Sequence, residues 1–135
     1  MKIEGEETAL TVTFAYNSKN QRTRFTIPYS DIDAEYCSYT YNDAGQRTKR
    51  TVMWSVYGHT EITTYTYGES GALEEEKVVL TIAYPEMTRK TTTIYRYTYD
   101  ENGNPVSAAV TTDDPLVTYA EQTVKYTYED LYFYR

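Results

Sequence analysis

Cysteine, histidine, long apolar runs and excess positive charge are all scarce in this sequence, and each scarcity excludes something. One cysteine, Cys37, allows neither an internal disulfide nor a multi-cysteine zinc site. Its place in an alternating segment fits a small residue buried on a strand. One histidine, His59, stands beside Gly58 in the stretch YGHT, a turn setting with no second histidine to share a metal. No G-x-S-x-G elbow offers it a nucleophile, so no catalytic residue is assigned. No run of about 18 apolar residues is present, which excludes a membrane-spanning helix. The opening MKIEGEETAL has no apolar segment after its lysine and does not read as a signal peptide. Lys and Arg number 13 against 20 Asp and Glu, a net charge of −7. A chain so acidic is not built to neutralise a phosphate backbone, and no nucleic-acid partner is expected.

Helical periodicity is missing too, since no window keeps apolar residues at i, i+3, i+4 and i+7. What the chain has is tyrosine, 17 of them against 3 Phe and 1 Trp, set among many threonines. Aromatic and β-branched side chains fit a pleated, half-buried surface, so the chain reads as all-β. At 135 residues it is the size of one domain, 1–135.

The tyrosines recur in a pattern. YTYNDAGQRT from Tyr39, YTYGESGALE from Tyr65 and YTYDENGNPV from Tyr97 share the unit; FAYNSKNQRT from Phe14 and YTYEDLYFYR from Tyr126 are weaker copies. A fixed internal period means one supersecondary element used repeatedly. The spacing predicts a hairpin whose type I turn is followed by a residue in the left-handed conformation. Gly45, Gly71 and Gly103 stand at that position, and Asn20 replaces them in the first copy. Glycine takes the conformation without steric cost and asparagine tolerates it better than most residues, so these four are read as structural turn residues. Asn42 and Asp100 open their turns as backbone hydrogen-bond acceptors.

Segments between the turns alternate. LTVTFAY puts Leu10, Val12, Phe14 and Tyr16 on one face, and VVLTIAY does so with Val78, Leu80, Ile82 and Tyr84. FTIPY, VMWSV, TIYRYTY and VSAAV behave alike, with second turns expected at SDIDA, YGHT, YPEM and TDDP. The expected fold is an antiparallel up-and-down meander of about nine or ten strands built from five hairpins, with units starting near 14, 39, 65, 97 and 126. With no helix to cover the aromatic face, the sheet is expected to curl into a barrel or rolled sheet, or else to pair with a second copy as a homodimer through that face.

The units resemble the YD repeats of the RHS family, whose pattern is approximately Tyr-x-Tyr-Asp-x-x-Gly. Tyr97, Tyr99, Asp100 and Gly103 match it in one unit; Tyr65, Tyr67 and Gly71 do so with Gly68 for the aspartate, and Tyr39, Tyr41 and Gly45 with Asn42. The resemblance implies a bacterial protein of the cell surface, periplasm or exterior with a β-meander fold, and repeats of this kind are linked to carbohydrate binding. Long family arrays spiral into shells around toxin domains. Five units are too few for that, so the resemblance points to a short exported module, free-standing or an excerpt of a longer array.

Little else suggests chemistry. Asp31, Asp33 and Glu35 lack the glycine and distal glutamate of a calcium loop, so neither metal nor cofactor is expected. Glu74, Glu75 and Glu76 read as a solvated strand edge. Arg22 and Arg24 recur as Arg47 and Lys49, with Glu75 at the lysine's place one unit on. Aromatic rings with hydroxyls can hold a glycan or a protein segment. Tyr41, Tyr67 and Tyr99, next to the turns, form the expected binding rim of a non-enzymatic binding or structural module. A cavity-bearing barrel and a two-carboxylate hydrolase are the alternatives.

Overall fold

A computed structural model describes residues 10–30, 34–55 and 58–114, and the backbone of 121–124. The described residues hold nine strands and no helix: β1 Thr13–Tyr16, β2 Arg22–Pro28, β3 Ala34–Tyr41, β4 Arg47–Trp54, β5 His59–Tyr67, β6 Leu73–Ala83, β7 Thr88–Tyr99, β8 Pro105–Thr112 and β9 Glu121–Val124. They form one antiparallel sheet in chain order, β1 to β9. The unit expected near 126 lies outside the described residues.

One end of this sheet carries the repeated turns. In the second hairpin the Gly45 amide donates to the Asn42 carbonyl at 3.0 Å, and the Asn42 amide to the Gln46 carbonyl at 2.9 Å. The first, third and fourth hairpins repeat both bonds. The fourth residue of each turn is left-handed, with φ of 61° at Asn20, 82° at Gly45, 86° at Gly71 and 82° at Gly103. Asn17, Asn42 and Asp100 close their turns by accepting the amides of Gln21, Gln46 and Asn104 on their side chains. Gly68 cannot do this, and there the Ser70 hydroxyl accepts from the Ala72 amide.

Just beyond each turn the ladder skips a residue. Thr40 faces Lys49 but Tyr41 faces Arg47, leaving Thr48 extra. Thr23, Glu74 and Val106 are skipped at the same place in their hairpins. A bulge of this kind re-aims the side chains around it. It brings Arg22, Arg47 and Leu73 level with the last tyrosine of their own hairpins.

The sheet is not closed into a barrel, which corrects the expectation. β1 pairs with β2 and β9 with β8, and among the described residues no pairing joins the two edges. The register supplies the reason, because directly opposed residues share a face. The row Phe25, Cys37 and Val52 continues into Glu61, Leu80 and Thr91. The next row runs from Tyr39 through Arg50, Thr63 and Val78 to Thr93 and Thr112. Apolar faces read strand by strand therefore do not line up across the sheet. Closure around this face would enclose Glu61 and Arg50 and strip both charges of their solvation. The buried cluster lies instead on β3 and β4, where Cys37, Tyr39 and Val52 pack with Phe25, Tyr41 and Trp54.

Candidate functional site

Tyr41 ends β3 and Tyr67 ends β5, the same position in consecutive hairpins, and Arg47 begins β4 between them. Together with Gly45 and Tyr65 they line a groove of about 250 Å³ at the turn end of the sheet. The bulge at Thr48 sets Arg47 opposite Tyr41. Gly45 leaves the turn beside it without a side chain, and an added Cβ there would stand 3.4 Å from Nε2 of Gln21 in the preceding turn.

The hydroxyls do something sequence reasoning did not foresee. Tyr41 donates to the carbonyl of Arg22 at 2.7 Å, and Tyr67 donates to the carbonyl of Arg47 at 2.7 Å. Tyr99 donates likewise to the carbonyl of Leu73. In the second, third and fourth hairpins the second tyrosine thus latches onto the strand that precedes it. These bonds fix the rings and use the hydroxyl protons within the fold. What Tyr41 and Tyr67 offer a ligand is a ring surface. A second link runs between turns, where Gln46 donates to the Gly71 carbonyl at 2.8 Å.

Of the three expected rim residues, the structure brings Tyr41 and Tyr67 into the groove. Tyr99 lies one hairpin farther and is not among its lining residues. Burial, then the nearby Glu74 and Tyr67, raises the Tyr99 phenol above its ordinary value. Tyr65 and Arg47 are groove residues that the rim assignment missed. The signal for Tyr65 was its place two residues before Tyr67, and for Arg47 its recurrence with Arg22.

Arg47 gives the groove its electrostatic character. Its guanidinium carbon lies 4.2 Å from the centre of the Tyr39 ring, and Arg22 stands 5.9 Å from the same ring. Arg22 is also within 5.4 Å of the Phe14 ring centre and 5.7 Å of that of Phe25. Cation–π attraction holds both cations over aromatic rings. Nε of Arg47 is buried and has no hydrogen-bond partner among the described residues. Tyr39 itself is raised above its ordinary value, first by burial, then by its hydrogen bond and charge interaction with Cys37, with Arg50 and Arg47 opposing.

The remaining polar residues are placed in structural settings. Cys37 is fully buried. His59 opens β5, half-buried and opposite Trp54. Glu35 accepts the Tyr29 hydroxyl at 3.0 Å, while Asp31 and Asp33 lie outside the described residues. Glu75 pairs with Arg96 at 3.3 Å, and Glu76 accepts the Tyr97 hydroxyl at 3.0 Å, so the acidic run is tied to β7. Among the described residues no group of three or more His, Cys, Asp and Glu is arranged to hold a metal. Among the described residues no helix is long and apolar enough to cross a membrane.

No family model, curated protein or solved structure matches the chain.

Proposed function

We propose that this chain is a non-enzymatic module of the YD-repeat kind, exported to the bacterial surface, periplasm or exterior, that binds a glycan in the groove of Tyr41, Arg47, Tyr65 and Tyr67. The observation that carries the reading is three tyrosines and a cation around one groove of about 250 Å³. Sugar rings present apolar C–H faces that stack on aromatic rings, and hydroxyls that accept from a guanidinium. Rings already fixed by their latches lose little freedom on binding, which favours affinity.

The test is a glycan array followed by calorimetry on its best ligand. Tyr65→Ala, which removes no latch, should weaken that ligand roughly tenfold with an unchanged circular dichroism spectrum. Unaltered affinity would sink the site assignment. Fractionation of the source cell, with the protein recovered from envelope or medium, tests the proposed location.

The latches favour a second reading, that of a structural unit in a surface assembly. A chain whose hairpins are tied one to the next suits such a role, and it would show no preference among glycans.

A further inference from the structure

Of the five residues that line the groove, Arg47 alone carries a charge. The other four supply three tyrosine rings and the bare backbone of Gly45. Arg47 is half-buried, and its guanidinium is held over the Tyr39 ring with the carbon 4.2 Å from the ring centre. A cation fixed in this way gives up its freedom on folding and not on binding, and partial burial strengthens the bonds it makes. Two further guanidiniums add to the local charge. Arg22, on β2, reaches within 5.9 Å of the same ring centre, and Arg50 stands directly opposite Tyr39 on β4. Glu61 offsets part of this charge through Arg50. Glu76 lies opposite Tyr65 on β6, one strand farther from Arg47, and accepts the Tyr97 hydroxyl. Positive charge therefore gathers on the β2 to β4 side of the groove in a chain whose net charge is −7.

We propose that the groove selects an acidic sugar, a uronate whose carboxylate accepts from the Arg47 guanidinium while its ring lies on the tyrosines, an assignment that rests on the glycan-binding function proposed above. A guanidinium is a planar fork of N–H donors that matches the two oxygens of a carboxylate, which a lone hydroxyl cannot do. A neutral sugar gives Arg47 only neutral acceptors, and a hydrogen bond between two charged groups is roughly twice as strong as one between neutral groups. Stacking on the tyrosine rings is common to acidic and neutral sugars. Discrimination between them therefore falls on Arg47, and Tyr65 contributes to the affinity of both.

The experiment is calorimetry on the full chain with oligomers of galacturonate, glucuronate, mannuronate and guluronate, each paired with the same oligomer reduced at its carboxyl groups. At least one acidic oligomer should bind about tenfold more tightly than its reduced form. Arg47→Gln should abolish that preference, and Arg47→Lys, which keeps the charge without the fork, should retain only part of it. Tyr65→Ala should weaken both forms alike. Circular dichroism checks that the variants fold, and the unaltered chain supplies a second measurement, since its preference for the acidic form should shrink as salt is raised. Equal affinity for acidic and reduced forms throughout the panel overturns the proposal and leaves the glycan reading standing. A preference that survives Arg47→Gln, or that salt does not move, overturns the assignment to Arg47. A panel in which neither form binds overturns it as well, and the glycan reading then stands or falls by the neutral sugars of the array.

Discussion

The first and second hairpins are near copies in sequence and unlike in environment. FAYNSKNQRT and YTYNDAGQRT build the same turn, the same skipped residue and the same left-handed fourth position. Yet all four residues of β1 are exposed, whereas β3 carries the most buried side chains on the sheet. The difference comes from neighbours. A strand with a partner on each side has its aromatic row covered from both directions, and the adjacent hairpin supplies a carbonyl for its tyrosine. A repeat unit of this kind is therefore locally complete as a turn but not as a packed layer, which is how stacked repeats in general gain stability.

The comparison is sharpest at its aromatic positions. Tyr39→Ala should cost about 3–5 kcal/mol in urea unfolding, since it empties a buried site and removes the ring beneath Arg47. Phe14→Ala, at the same place in the first hairpin, should cost under about 1 kcal/mol. Equal losses would mean that β1 is as well covered as β3. Val52, 1% exposed and next to Cys37, should lose roughly 1.5–3 kcal/mol on replacement by Ala. Val12→Ala should stay within about 0.5 kcal/mol.

Turn substitutions ask whether the two hairpins share their local chemistry. Gly45→Ala forces a left-handed alanine and should cost about 1–2 kcal/mol. Asn20→Gly should change stability by only a few tenths, about 0.3 kcal/mol, because both residues accept that conformation. A large loss at Asn20 would show that the first turn relies on its side chain. The latches come next. Tyr41→Phe should cost about 0.5–1.5 kcal/mol, and Tyr16→Phe in the isolated chain about zero.

The smallest expected effect is alkaline. Burial raises Tyr39 above its ordinary 10.0, so the unfolded phenol ionises first. The associated stability is intact below about pH 10 and is lost as the pH climbs through the folded value. Tyr39→Phe should flatten stability against pH in that range, whereas Phe14, its counterpart, contributes no such slope. An unchanged slope in Tyr39→Phe would assign the alkaline loss to other tyrosines, Tyr99 among them.

Much of this was legible without coordinates. The left-handed positions at Asn20, Gly45, Gly71 and Gly103 follow from turn chemistry over four or five residues. The strand course of β6 over Val78–Ala83 follows from period-two alternation, although the strand starts earlier, at Leu73, and leaves out Tyr84. Closure was misjudged because alternation describes one strand at a time. Leu80 is apolar in its own strand yet lies between Glu61 and Thr91, and only inter-strand register shows it. The skipped residues Thr23, Thr48, Glu74 and Val106 set that register, and they carry no signature of their own in the pattern. Tyr41, Tyr67 and Tyr99 were singled out for their hydroxyls, but those protons go to backbone carbonyls about 20 or more residues away in sequence. Arg47 and Tyr65 join the groove because neighbouring strands bring them within reach of Tyr41 and Tyr67.

The amino-acid sequence by itself determined the all-β class, the recurrent hairpin and the conformation of each repeated turn, because these depend on steric and hydrogen-bonding preferences within a few residues. Tertiary structure alone decided that the sheet stays open, that tyrosine latches tie hairpin to hairpin, and that one groove gathers three tyrosines around Arg47. Those outcomes depend on which side chains fall opposite one another after each bulge, and on which strand is paired on one side only among the described residues.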